Sequence, residues 1–532
     1  MTKIKRPSTE GIFLIVTIII GVIAVLPQVF YQPFFLQGDH GRDLYIFQQT
    51  AHGAVPYRDY DTANGPLMPY YYGAALSYFG ETIQSVLFGY ALMIFLAGFL
   101  IFLIARKGLP PGMAFLCALW YWAWRGQEFF YTFNHIGAIV AALATVHSTI
   151  TNIEWQRRRY FLFGLCSSLL CMLIRPDIGI ASLAGLLISS LIFRKKDYLP
   201  QRSFFVIMLS ILGGVCVIIN LFVPEMFLPY WNAIHPGLIA HNIMVLGQLW
   251  FVLFTQNCFT AGLTLLITIL CLLGAVHLWE TRSSEESKKI LRSLTCLAIF
   301  FLLFLMEFLV GNRFFRWVWV FPVSVLMIFH FLYCGLLKIH TVLRSLIYVL
   351  LMITCAVLLL LPIAEIAVSK NQQSVLNVGA SKVMMAPDQK PWITTVKQTC
   401  VIIDQTTDPD EEILALPYDA IYCFLTKRRL ASNQPDLFGT PADRLIPQIE
   451  QKKVRLIVIS NRAFRPNEPN RFGIFGKTYG RDLWRYIQTH YRLIAQIGPW
   501  EKTATPIFNH ATRIYVRTAP FAHSSGLTVK KH

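Results

Sequence analysis

Asp39 and Asp43 stand four residues apart in the stretch LQGDHGRDLY, with His40 and Arg42 between them, directly after the first long apolar run of the chain. A carboxylate in such a cluster can take a proton from an attacking hydroxyl, and a guanidinium beside it can hold a phosphate through two parallel N–H bonds. On a helix the two aspartates would share a face, although Gly41 weakens helix formation there. With His40 they also make a loose candidate set for a divalent cation; a solvated loop is the plain alternative. Similar residues recur further on. PYRDYDTANGP brings Arg58, Asp59 and Asp61 to a proline-led turn, where turn forming and capping account for the aspartates without chemistry. WRGQEFF carries Arg125 and Glu128, TFNH carries Asn134 and His135, IRPDIG carries Arg175 and Asp177, and GNRFFRW carries Arg313 and Arg316. Capping and interface anchoring are sufficient readings of Glu128, Asn134 and His135, and anchoring beside Trp317 and Trp319 suffices for the last two arginines.

The elements that must position these residues are mostly apolar helices. The chain has 532 residues, 55% hydrophobic and 14% charged, with a mean hydropathy of +0.51, well outside the range of water-soluble domains. A helical crossing of the bilayer needs about 20 apolar residues. Eleven runs of that kind fall at 11–30, 82–104, 109–124, 132–150, 160–174, 178–193, 203–223, 249–278, 291–310, 317–337 and 343–363. The basic clusters fall on one side of this series: Lys3, Lys5 and Arg6; Arg106 and Lys107; Arg157 to Arg159; Arg194 to Lys196 and Arg202; Lys288, Lys289 and Arg292; Lys338 and Arg344. Cytoplasmic loops retain Lys and Arg, so the N-terminus is expected inside and everything after about Glu365 outside. The arginines named above then lie on the outer side, against the usual sorting, and ionisable groups at membrane depth are costly unless used. The runs at 160–174 and 178–193 are short enough to dip part-way and line a cavity. The opening run is expected to stay as an uncleaved first span.

Nine of the eleven cysteines lie in apolar runs, and Cys400 and Cys423 lie in the tail, where a disulfide is left open. The formal charge of +18 is largely accounted for by the inner clusters, which argues against nucleic acid as a partner. A basic tail on an envelope face suits anionic lipid or phosphorylated glycan. From about Glu365 the pattern changes. EEILALP and VRLIVIS have strand length, PADRLIPQIEQKK and RDLWRYIQTHY have helical spacing, and YRLIAQIG and TRIYVRT read as closing strands. The tail holds no nucleophile elbow, phosphate loop or dinucleotide fingerprint, so it reads as a docking or lid domain.

An aspartate just after the first span, followed by LYIFQQTAHGAVPYRDYDTANGPLMPYYYGA, resembles the first outer loop of GT-C integral-membrane glycosyltransferases that use polyprenyl-phosphate sugars. The branch it is similar to holds the aminoarabinose transferase and the protein O-mannosyltransferases; ILALPYDAIYCFLTKRRL and IEQKKVRLIVIS look like their outer domain. The resemblance implies an α-helical polytopic membrane protein of GT-C fold, with about eleven transmembrane helices and a C-terminal α/β extracytoplasmic domain. The expected division is 1–364, including the first outer loop at 31–81, and 365–532. The implied activity is inverting transfer of a monosaccharide from a polyprenyl-phosphate donor to an envelope lipid, glycan or protein acceptor, at the outer face of a bacterial inner membrane. Asp39 takes the place of the family's first-loop acid. His40 stands where the common pattern has an adjacent glutamate, so Asp43 becomes the second carboxylate and a metal at Asp39, His40 and Asp43 stays open. Arg313 or Arg316, with Arg175, correspond to the basic residues near the donor phosphate. Among the remaining outer residues, Arg58 is a further candidate for that phosphate, and Arg42, Asp59, Asp61, Glu128, Asn134, His135 and Asp177 are candidates for the acceptor and sugar pocket. No cofactor is required beyond that open metal. The competing functions are an O-antigen ligase or polymerase and a lipid-linked sugar flippase or transporter. The first loop and tail speak against the ligase, and the absence of an evident repeat against the transporter.

Overall fold

The structure is a computed structural model that describes residues 9–32, 36–62, 65–128, 133–193, 285–311, 320–337, 339–434, 442–462, 473–500 and 509–518. The expected spans at 203–223 and 249–278 lie outside these, as do Arg313 and Arg316. The other expected spans coincide with helices: α1 (Thr9–Val25), α5 (Ile83–Ala105), α6 (Pro111–Glu128), α7 (Phe133–Trp155), α8 (Arg158–Ile174), α9 (Pro176–Ile192), α10 (Glu285–Gly311), α11 (Phe321–Leu336) and α12 (Thr341–Asn371). Among the described residues α5, α7 and α12 are both long and apolar enough to cross a membrane, and α1, α9 and α11 are shorter apolar helices. A helix suits such runs because it satisfies its backbone polar groups internally. The first loop holds more structure than its composition suggests: a short α2 (Pro27–Phe30), β1 (Tyr31–Gln32), α3 (Asp39–Ala51) and α4 (Leu67–Phe79).

The chain divides into two compact units. One comprises Met1–Pro27, Ala63–Met68 and Tyr90–Ile363; the other comprises Gln28–Thr62, Pro69–Gly89 and Ala364–His532. This grouping differs from a division at 364/365, because most of the first loop joins the tail. Its β1 pairs in parallel with β3 (Ser381–Met385), and α3 packs on α14 (Ile421–Thr426).

In the first unit α7, α8 and α9 pack on one another, and α10 packs against α7, α9 and α11. Phe161 and Leu165 of α8 meet Leu183 and Leu186 of α9 in a buried cluster. Pro176 starts α9 with its fixed φ and holds the preceding Arg175 extended, at φ −144°. The chain at Gly65 inserts beside this junction, its N–H donating to the Ile174 carbonyl at 2.9 Å. A Cβ there would lie 2.0 Å from the Leu173 oxygen, so only glycine fits. Trp122 of α6 is likewise seated against Gly21 of α1 and Gly98 of α5.

The second unit carries a mostly helical loop portion and an α/β tail. A three-stranded sheet runs β1-β3-β2, with β2 at Val375–Val378. The larger sheet contains β4 (Glu412–Leu416), β5 (Arg429–Leu430), β6 (Leu456–Ser460), β7 (Tyr491–Ile497) and β8 (Thr512–Arg517), in the order β5-β4-β6-β8-β7. Strand β4 is parallel to β5 and β6, whereas β8 is antiparallel to β6 and β7. Strand β6 is buried along its whole length, as its unbroken apolar run demands. Helix α13 (Lys390–Thr406) packs on α14, β7 and β8; α15 (Ala442–Gln451) and α16 (Arg481–His490) pack on each other. Cys400 and Cys423 are both buried and free.

Candidate functional site

The helix that Gly41 put in question does form, and the glycine is what lets it pack. The position its Cβ would take lies 2.8 Å from the Ile421 Cβ, so α3 approaches α14 more closely than a larger residue permits. Asp39 is the first residue of α3 and follows Gly38, which has φ +68°. Arg42, one turn on, is placed between the two aspartates. Its Nη1 lies 3.2 Å from Asp39 Oδ1, and its Nε and Nη2 donate to Asp43 Oδ1 at 3.2 and 3.0 Å. Nη1 also donates to the Tyr418 hydroxyl at 2.8 Å, and that hydroxyl donates to Asp39 Oδ1. Two guanidiniums lie near the Tyr418 ring, with Arg42 Cζ 5.7 Å and Arg462 Cζ 4.9 Å from its centroid.

Exposure separates the two carboxylates. The Asp39 side chain is 31% exposed and that of Asp43 is 2% exposed, so Asp39 is the one a substrate can reach. Burial pushes the Asp43 carboxyl up to about 6, outweighing the pull of Arg42. Burial also lowers His40 to about 4, with Arg42 assisting and Asp39 opposing. His40 is therefore neutral at pH 7 and Arg42 is the positive charge of the cluster. Among the described residues no group of three or more His, Cys, Asp or Glu side chains is arranged to hold a metal. The Arg42 guanidinium bridges the two carboxylates, and Asp39, His40 and Asp43 are not gathered in the arrangement a metal site needs.

A second cluster forms in the other unit. Arg175, at the α8–α9 junction, directs Nε to Asp177 Oδ1 at 3.0 Å and Nη2 to Oδ2, while Nη1 lies 3.4 Å from His135 Nε2 on α7. Asp177 also accepts the N–H of Ile178 in the first turn of α9, where negative charge is favoured. TFNH and IRPDIG thus meet, with Asn134 and His135 buried. Glu128 ends α6.

The PYRDYD segment is a turn. Tyr57 has φ +67°, its N–H donates to the Tyr60 carbonyl, and Asp59 accepts both the Val55 N–H at 2.7 Å and the Arg58 guanidinium at 2.8 and 3.0 Å. The Arg58 bond, with the Val55 N–H, holds the Asp59 carboxyl below its usual value. The backbone N–H of Asp61 donates to the Asn433 carbonyl at 3.0 Å. Turn forming thus accounts for these contacts of Arg58 and Asp59.

Composition did not single out Tyr418, Arg462, Asp419 or Gln37. The available signal was positional. Tyr418 and Asp419 follow β4 and Arg462 follows β6, and the carboxyl ends of adjacent parallel strands are where α/β sheets place functional side chains.

No family model and no curated protein matches the chain. Solved structures do resemble it. One is the oligosaccharyltransferase of Archaeoglobus fulgidus in complex with Zn and sulfate, at 14% identity and TM-score 0.49, covering 92% of this chain and 79% of that one. The same enzyme, AglB, in complex with an inhibitory peptide and a dolichol-phosphate is similar at 12% identity and TM-score 0.47, covering 85% and 69%. ArnT from Cupriavidus metallidurans in the apo state is similar at 12% identity and TM-score 0.42, covering 94% and 97%. Likeness at this level assigns no role to any residue of this chain.

Proposed function

We propose that this chain is an inverting glycosyltransferase of the GT-C type, with Asp39 as the general base. The observation that carries this reading is the partly exposed Asp39 carboxylate, fixed at the start of α3 by Arg42 and Tyr418. The first-loop sequence resemblance supports the same residue as the acid. In the proposed reaction the acceptor hydroxyl attacks the anomeric carbon of a polyprenyl-phosphate sugar. The bond from that carbon to the phosphate oxygen breaks, its electron pair leaves with the lipid phosphate, and the acceptor proton passes to Asp39. Arg42 offsets the carboxylate charge, and Asp43 keeps Arg42 in place from the buried side. Arg175, Arg313 and Arg316 are the proposed partners of the leaving phosphate, whose growing charge they would bind more tightly as the bond breaks. Arg58, engaged with Asp59 in an exposed turn, supports a structural role better than a phosphate contact. Sequence asymmetry supports placing the reaction on the outer face of a bacterial inner membrane crossed about eleven times, with the tail outside. The acceptor is proposed as an envelope lipid, glycan or protein.

The test measures sugar transfer by purified protein from a panel of undecaprenyl-phosphate sugars to envelope lipid and glycan fractions. Wild type should transfer one of them, and Asp39→Asn should lose at least about 10²–10⁴-fold while remaining folded. EDTA should leave the rate unchanged. An active Asp39→Asn variant would remove Asp39 from the reaction. A wild type that moves the lipid-linked sugar across liposomes without transferring it would establish transport instead.

A further inference from the structure

At the carboxyl ends of β4 and β6, where an α/β sheet ordinarily receives a ligand, the second unit receives its own first loop. Tyr418 and Asp419 follow β4; Ser460 and Arg462 stand at the end of β6. Gln37 Nε2 donates to Asp419 Oδ1 at 2.6 Å, and the Ser460 hydroxyl donates to Oδ2 of the same carboxylate. Asp419 is fully buried. The same amide nitrogen lies 3.3 Å from His510 Nδ1. An amide NH₂ only donates, so Nδ1 accepts and the ring proton sits on Nε2, 2.9 Å from the Tyr422 hydroxyl. Burial, which lowers His510 to about 4, agrees with a neutral ring. One residue further on, the Cβ position of Gly38 lies 2.4 Å from Arg462 Nη1, so a side chain there would displace that guanidinium. The three residues Gln37, Gly38 and Asp39 are therefore each met by the tail.

Donor logic fixes the last link. Arginine has no acceptor, so the Tyr418 oxygen accepts from Arg42 Nη1 and its own proton is committed to Asp39 Oδ1. On the proposed role of Asp39, we infer that Tyr418 is the positioning residue of the reaction: the tail supplies the hydroxyl that orients the first-loop carboxylate toward the acceptor. On this inference the tail contributes to the catalytic unit, in addition to the docking or lid role expected from its lack of motifs.

Tyr418→Phe tests this cleanly, because phenylalanine keeps the ring beside Arg42 and Arg462 and removes only the hydroxyl. Full-length protein in nanodiscs should fold with an unchanged melting temperature. Its kcat should fall on the order of 10–100-fold, the scale of a misplaced reacting group, while both KM values stay within about twofold. A carboxylate that loses a donor is harder to ionise, so the acid limb of the kcat/KM profile should move to higher pH. A second readout does not depend on turnover. Infrared titration, with the Asp39 bands assigned by their loss in Asp39→Asn, should show those bands protonating at higher pH in Tyr418→Phe. Unchanged kcat and acid limb, or an infrared titration identical to wild type, would overturn the inference. If Asp39→Asn is inactive and Tyr418→Phe is normal, only this inference fails. If wild type transfers no sugar, the proposed function fails and the infrared comparison still decides whether Tyr418 holds Asp39.

Discussion

Arg42 sits between two carboxylates in different surroundings, and its neighbours Asp43 and His40 respond to pH in opposite senses. Asp43 is raised to about 6 from 3.8, so its contribution to stability is complete at low pH and is lost as pH rises through 6. His40 is lowered to about 4 from 6.5, so its contribution is complete above 6.5 and is lost as pH falls through 4. Between about pH 4 and 6 the two largely cancel. Melting temperatures in detergent should therefore fall with rising pH across that window in His40→Gln and rise across it in Asp43→Asn. Parallel slopes in the two variants would contradict this assignment. At this scale much was legible from the chain: LQGDHGRDLY announced a charged cluster, and TFNH and IRPDIG held residues that meet. Tyr418 was not legible, because an isolated tyrosine after a strand has no compositional mark. The role proposed for it rests on a contact spanning 379 positions.

The elements were easier to read than their contacts. Among the described residues the expected apolar runs became helices, and EEILALP, VRLIVIS, YRLIAQIG and TRIYVRT became β4, β6, β7 and β8. The short β1 escaped notice because two residues carry no periodicity; it exists by pairing with β3. Helix α3 was doubtful for the opposite reason, since an intrinsic cost at Gly41 is offset by close packing on α14. Close approach also holds α1, α5 and α6 together. A Cβ at Gly98 would fall 2.2 Å from Trp122 Nε1, while that nitrogen donates to the Ile94 carbonyl at 3.2 Å. Small residues that admit a neighbour in this way are a common basis of helix association in membranes. Gly98→Ala should cost about 1–3 kcal/mol and lower the melting temperature. The double variant Gly98→Ala/Trp122→Leu should recover part of that loss, and a Gly98→Ala protein as stable as wild type would show that the indole yields without cost.

For the molecule as a whole, composition and the one-sided basic clusters led to a membrane body and an outer tail, and α5, α7 and α12 have the length and apolarity of crossings. The same asymmetry predicts which loops face out. In intact cells a membrane-impermeant maleimide should label Lys477→Cys, in the exposed part of the tail, and should reach Arg157→Cys, between α7 and α8, only after permeabilisation. The reverse pattern would invert the orientation and remove the outer-face reaction with it. What the chain did not disclose was how its regions group. Composition changes at about Glu365, yet the second unit gathers Gln28–Thr62 and Pro69–Gly89 together with the tail, because pairing and packing partners are set in three dimensions.

That grouping has a consequence in time. Asp39 leaves the ribosome 379 residues before Tyr418, an interval of roughly 20–75 s at about 5–20 residues per second. For that interval the nascent loop has neither the Tyr418 hydroxyl nor α14 to pack against, and β1 waits for β3. On the roles proposed for Asp39 and Tyr418, a chain caught unfinished in the membrane would carry the acid but lack the group that aims it, and the order of synthesis itself would keep incomplete molecules from acting.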